Sequence, residues 1–180
     1  MRALFLAGVD FPMRLYKNGA FVDDTWRALP EGEAPGEGTV ILSLNQWAAL
    51  GEARDGLNVP LGIRIETGET LDALLPDLHR FSLVELVFPK FNDGRSFSKG
   101  TMLRGQLGFA GEIRASGDVL WDQLQLMRRC GFDAFAIEDE PTLRALDAGK
   151  QPFMDEFYQP GLGGEVAADA RRPWARRSVT

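Results

Sequence analysis

Three cations and three polar partners cluster in one part of the chain, and their types suit the capture of an oxyanion. Lys90, Arg95 and Arg114 supply positive charge, with Asp93, Asp118 and Gln123 interleaved among them. An Arg guanidinium presents a flat fork of donors that matches two oxygens of an oxyanion, and Lys adds a compact point charge. Asp118 stands where a helix is expected to begin, and a helix start adds backbone N–H groups and a favourable dipole. The same residues also have a purely structural use: Asp93 as a turn residue, Asp118 as an N-cap, each pairing with Arg95 or Arg114. A salt-bridged lattice of that kind can equally form the floor of a binding site. The net charge of −6 means that a local cationic cluster does not follow from a generally basic chain.

Most other chemistries find no support. The chain has one Cys and one His. A four-Cys iron–sulfur site, a CxxC redox pair and a zinc pattern are therefore out of reach. Cys130 falls on the apolar face of a helix, where a thiol is buried and inert. His79, in LLPDLHRFS, reads as a surface or packing residue. The run GRSFSKGT places Lys99 before Gly100, the reverse of the phosphate-loop order, and no GxGxxG follows a strand. The expectation is a protein without metal, flavin, haem or iron–sulfur cofactor. Acidic balance argues against nucleic acid as a partner. No apolar run reaches the roughly 18 residues that cross a bilayer.

The elements that must position these groups follow from periodicity. Short apolar runs at 40–44, 61–65, 83–88, 112–115 and 132–137 read as five strands. Between them, helical spacing appears at 45–54, at 70–78 (Leu71, Leu74, Leu75, Leu78), from Phe97 to the stop at Gly108, and after Asp118 (Leu120, Leu124, Met127, Cys130). Gly131 fits a left-handed cap at the end of the last of these, and Pro141 opens a short helix at 141–148. Asn18-Gly19, between apolar-containing segments, predicts a type I′ hairpin within 15–26, with Trp26 as a packing anchor. PEGEAPGEG, at 30–38, reads as a connector.

Alternating strands and helices define an α/β domain with a mainly parallel five-stranded sheet, preceded by the small hairpin. Two architectures fit: an open three-layer sheet with helices on both faces, and a partial barrel with helices on one side. The apolar character of the strands favours the open sheet. The expected organisation is a loose extension over 1–13, a single domain over 14–150, and a basic, mostly disordered tail over 151–180 with Arg171, Arg172, Arg176 and Arg177. In such folds, ligands gather at the carboxyl ends of the strands. That rule selects the six residues above, with Glu66, Thr67 and the acidic run Glu138-Asp139-Glu140 as neighbours.

The runs FPKFNDGRSFS, GEIRASGDVLWDQL and RRCGFDAF also carry a resemblance, extended by KNGAFVDDTW and LGIRIETGE. They resemble a bacterial domain-of-unknown-function family, number nine-three-four, labelled as an oxidoreductase involved in sulfite reduction. The resemblance implies a role beside assimilatory sulfite reductase, but brings no catalytic residues with it; the single Cys suits a reducing cytoplasm. Because the chain lacks the ligands for redox centres, the implied role is that of an accessory protein. It would dock on the reductase or its electron donor, or handle a small oxyanion. The alternatives are a small oxyanion-binding enzyme or sensor built on Lys90, Arg95 and Arg114, and a structural module that forms a homodimer.

Overall fold

The computed structural model describes residues 13–90 and 92–152. Of the expected N-terminal extension only Met13 lies within the described residues, and of the expected tail only Gln151 and Pro152.

Among the described residues, eight strands form one sheet. β1 (Arg14–Lys17) and β2 (Ala20–Val22) make the hairpin. Its turn residues Asn18 and Gly19 have φ of 54° and 83°, the left-handed values that a type I′ turn requires. β3 (Arg27–Ala28) precedes the Pro/Gly-rich connector. β4 (Val40–Ser43), β5 (Leu61–Ile65), β6 (Phe81–Phe88), β7 (Glu112–Gly117) and β8 (Ala134–Ile137) then correspond to the five expected strands. The count of five is corrected to eight, because the hairpin and β3 join the main sheet. β1 pairs antiparallel with β8, and β3 pairs parallel with β4.

The strand order is β2-β1-β8-β7-β6-β5-β4-β3. From β3 to β8 the strands are parallel and lie in chain order. Right-handed crossovers between strands in unbroken order put every helix on the same face. The sheet is accordingly a curled half-barrel and not the open, doubly covered sheet that strand apolarity favoured. Chain length gives independent support for the curl. β2 and β3 are the two edges, separated along the sheet by seven spacings of ~4.8 Å, about 34 Å. The chain joins them through residues 23–26 alone, and five residue steps extend at most roughly 18 Å. A flat sheet cannot be bridged by that segment. Residues 23–26, expected to close the hairpin, instead run as a chord across the hollow of the sheet.

The convex face carries the apolar core. Leu42, Ile63, Val84, Leu86, Phe88, Ile113, Phe135 and Ile137 face Trp47, Leu74, Leu103, Leu124, Met127 and Leu143 from the helices. α1 (Leu44–Ala49) starts in a capping box, with Gln46 N donating to Ser43 Oγ at 3.2 Å and Ser43 N donating to Gln46 Oε1 at 2.8 Å. Gly51, at φ 51°, breaks the expected 45–54 helix, and a 3-10 segment, Gly51–Gly56, follows. The segment after β5 is also a 3-10 helix, Asp72–Arg80, because Pro76 lacks the N–H that an α-helical bond needs at that point. It buries Leu74 and Leu78 and leaves Leu75 exposed.

α2 (Arg95–Gly105) ends before Gly108, which adopts φ 63°. Asp118 is not a helix N-cap. The chain bends sharply at Gly117-Asp118, where Val119 N donates back to the Gly117 carbonyl at 2.8 Å, is extended at Leu120, turns once at Trp121–Gln123, and enters α3 (Leu124–Arg129) from Gln123. Gly131, at φ 98°, closes α3 as expected. α4 (Glu140–Asp147) is capped by Asp139, whose Oδ2 accepts from Thr142 N at 2.9 Å.

Candidate functional site

The hollow of the half-barrel is lined by charge. Strand register sets Ser43, Arg64, Glu85, Arg114, Ala134 and Lys17 in one row across β4, β5, β6, β7, β8 and β1. Side chains alternate faces along a strand, so all six share the concave face. Arg114 and Glu85 are 1% and 2% exposed. Ions buried to that degree cost several kcal/mol each unless they are paired and hydrogen-bonded, and here both are. Arg64 Nε donates to Glu85 Oε1 at 2.8 Å, and Ser116 Oγ donates to the same oxygen at 2.7 Å. Arg114 Nε donates to Glu112 Oε1 at 3.1 Å, while Lys17 Nζ donates to Glu112 Oε2 at 2.6 Å.

The closest match for Arg114 comes from outside the sheet. Its Nη1 and Nη2 donate to Asp24 Oδ2 and Oδ1 at 2.8 and 3.1 Å, a bidentate pair between residues 90 apart in sequence. Asp24 belongs to the chord 23–26, and Asp24 Oδ1 also accepts from Trp26 N at 3.0 Å, which folds the chord around its carboxylate. Trp26 packs on the same concave face. A Cβ at Gly62 would stand 3.2 Å from Trp26 Cζ3 and 3.1 Å from both Ile41 Cγ1 and Leu83 Cδ2. Gly62 therefore leaves the space that the indole fills. Trp26 is the anchor that its sequence context predicts, although its role is to pin a crossing segment.

The strand carboxyl ends form a second polar group. Asp93 and Arg95 pair directly: Arg95 Nε donates to Asp93 Oδ1 at 2.9 Å and Nη2 to Oδ2 at 2.6 Å. The hydrogen bond from Arg95 holds the Asp93 carboxyl down to about 2, and the same contact raises the Arg95 guanidinium. Lys99 Nζ, one turn further along α2, donates to the carbonyl oxygens of Glu66 and Thr67 at 2.7 and 3.0 Å. Burial lowers its pKa. The Val87 carbonyl accepts from both Thr67 Oγ1 at 3.0 Å and Ser96 Oγ at 2.7 Å, which ties the ends of β5 and β6 to the start of α2.

The six residues expected to converge thus fall in different places. Asp93 and Arg95 are partners on the rim, with Lys90 exposed at the start of the same loop, where its carbonyl accepts from Asp93 N. Asp118 sits on the adjoining turn, its backbone N donating to Phe88 O at 2.7 Å. Gln123 ends the single 3-10 turn beyond it. Arg114 stands apart from these, three residues inside β7 on the concave face, and takes Asp24 and Glu112 as partners. Sequence reasoning missed Asp24, Glu85, Glu112, Arg64 and Lys17. The signal available for Arg64, Glu85 and Arg114 is a charge in the interior of each of three successive apolar strands.

Two cavities open at the amino ends of the parallel strands. One, of about 540 Å³, is lined by Leu75, His79, Phe81, Leu107 and Phe109, and the other, of about 420 Å³, by Tyr16, Arg128, Phe132 and Phe135. Among the described residues no group of three or more His, Cys, Asp or Glu is placed to hold a metal ion, and no helix is long and apolar enough to cross a membrane.

Fold and site together define a mixed α/β half-barrel whose hollow is filled by an internal salt-bridge network under a crossing segment. The chain belongs to the family described as bacterial protein of unknown function (DUF934), whose model matches residues 62–168. No curated protein matches it. The match covers β5 to β8, including Arg64, Glu85, Glu112 and Arg114, whereas Lys17 and Asp24 lie upstream of it.

Proposed function

We propose that this chain is a cytoplasmic accessory protein of assimilatory sulfate and sulfite reduction that acts by docking on sulfite reductase or on its electron donor. One observation supports a docking role over catalysis. The cations best placed for chemistry are already neutralised by the chain's own carboxylates, Arg114 by Asp24 and Glu112 and Arg95 by Asp93. An Arg or Lys that stabilises a reacting oxyanion needs donors left free for the substrate in a concave site. A scaffold whose work is done at its surface has no such requirement, and an internally paired interior suits it. The pathway assignment follows from the resemblance described above.

The test is reconstitution. Purified full-length chain is mixed with assimilatory sulfite reductase and its electron donor, and the mixture is resolved by size-exclusion chromatography while sulfite turnover is followed in parallel. Co-elution with either protein, or a changed rate of electron delivery, is the expected result. Separate elution together with an unchanged rate refutes the docking reading.

A further inference from the structure

Among the described residues the concave face holds three cations, Lys17, Arg64 and Arg114, and three carboxylates, Asp24, Glu85 and Glu112, in two ion-paired groups: Arg64 with Glu85, and Lys17, Glu112, Arg114 and Asp24. Five of the six stand on strands. Only Asp24 is delivered by a segment outside the sheet ladder, and its neighbours Asp23 and Thr25 are exposed. Without Asp24 the hollow has an excess of one positive charge, centred on a guanidinium whose side chain is 2% exposed. The geometry left behind would be that of an oxyanion receptor: a fixed, buried fork with two parallel donors. A cavity of about 280 Å³, lined by Arg14, Leu15, Phe21, Val22, Asp23 and Asp24, opens at the start of the segment.

We propose that the Arg114 fork is an oxyanion site which the chain occupies with its own carboxylate. A ligand carrying two acceptor oxygens on one centre, such as a carboxylate or a sulfur oxyanion, displaces Asp24 and lifts the 23–26 segment from the hollow. Trp26 moves with that segment, since it shares the hydrogen bond to Asp24 and packs over Gly62. Binding is thereby coupled to the uncovering of a surface. This inference does not rest on the docking reading, and either one can fail alone.

The experiment is chemical rescue on the full chain. Thermal unfolding of Asp24→Ala is recorded against acetate, sulfite and sulfate, with chloride at matched ionic strength as the control. The expected result is a saturable rise in Tm with at least one oxyanion beyond chloride, and an affinity at least tenfold tighter than that of wild type. The rise should disappear in Asp24→Ala/Arg114→Met. Acetate active and the sulfur oxyanions silent would assign the site to carboxylates; the converse would assign it to sulfur oxyanions. Asp24→Ser, which removes the charge and also vacates the space before the fork, carries the same titration if the alanine variant does not fold. In wild type, a fluorescence change with the same anion, lost in Trp26→Phe, reports release of the segment. Rescue no greater than that of chloride in the folded variants overturns the proposal, as does a wild-type Trp26 signal that stays flat up to saturating anion.

Discussion

Arg114 and Asp24 should behave as one energetic unit. Replacing Arg114 with Ala leaves the Asp24 and Glu112 carboxylates, with side chains 17% and 12% exposed, without their shared guanidinium, and only Glu112 retains another cation, Lys17. Breaking one side of a largely buried ion pair typically costs about 3–5 kcal/mol. For a domain of this size that corresponds to a fall in Tm of roughly 10 °C. Asp24→Ala should cost a comparable amount, since it strands Arg114 with Glu112 alone and removes the acceptor of Trp26 N. The double variant should then be less damaging than the sum, because neither charge remains to be stranded, with a coupling energy of about 2–3 kcal/mol. Urea unfolding of the four proteins, followed by far-UV circular dichroism, measures this directly. The coupling should survive high salt, since the pair is shielded from solvent. Additivity within about 0.5 kcal/mol would refute the reasoning: the segment 23–26 would then be held by something other than this pair.

Three further outcomes follow from local geometry. Gly117 has φ 85°, and a Cβ there would stand 2.4 Å from the Phe88 carbonyl oxygen, whereas Gly19 has φ 83° with open space around it. Gly117→Ala should therefore lower Tm far more than Gly19→Ala, which carries only the left-handed strain of about 1–2 kcal/mol; equal effects would exclude the clash. Gly100→Ala should destabilise the protein although Ala is the better helix former by about 1 kcal/mol, because the new methyl would lie 2.5 Å from the ring of buried Phe132; a raised Tm would contradict this. Asp93 should titrate near 2 in wild type, and in Arg95→Ala its midpoint should return toward the ordinary 3.8, read by the carboxyl chemical shift. Because the folded-state pKa is depressed, the stabilisation from this pair is complete above 3.8 and is lost as pH falls through about 2. The pair is exposed, so added salt should weaken it.

Periodicity and punctuation made much of the fold legible. The runs around Leu42, Ile63, Leu86, Ile113 and Ala134 are strands because each is a short apolar stretch between turn residues. Asn18-Gly19, Gly108 and Gly131 turn or stop the chain because they adopt positive φ, which most other residues resist. The Asp93–Arg95 pair was legible for the same reason, as its partners are two residues apart. These are short-range effects, and a linear sequence displays them directly.

Only the tertiary structure decided the remainder. Apolar strands fit a doubly covered sheet and a curled one equally well, and the choice lies in strand order and register, which no local window contains. Register is also what aligns Arg64, Glu85 and Arg114 in one row, so their charges, scattered in sequence, become an inward-facing network. Arg114 was legible as a cation able to grip an oxyanion, but not as a residue already gripped, because Asp24 reaches it across 90 positions only when the sheet curls enough for 23–26 to bridge its edges. A strand's residues announce which faces are apolar; the distance between the sheet's two edges, and hence what lies across its hollow, is set by curvature summed over eight strands.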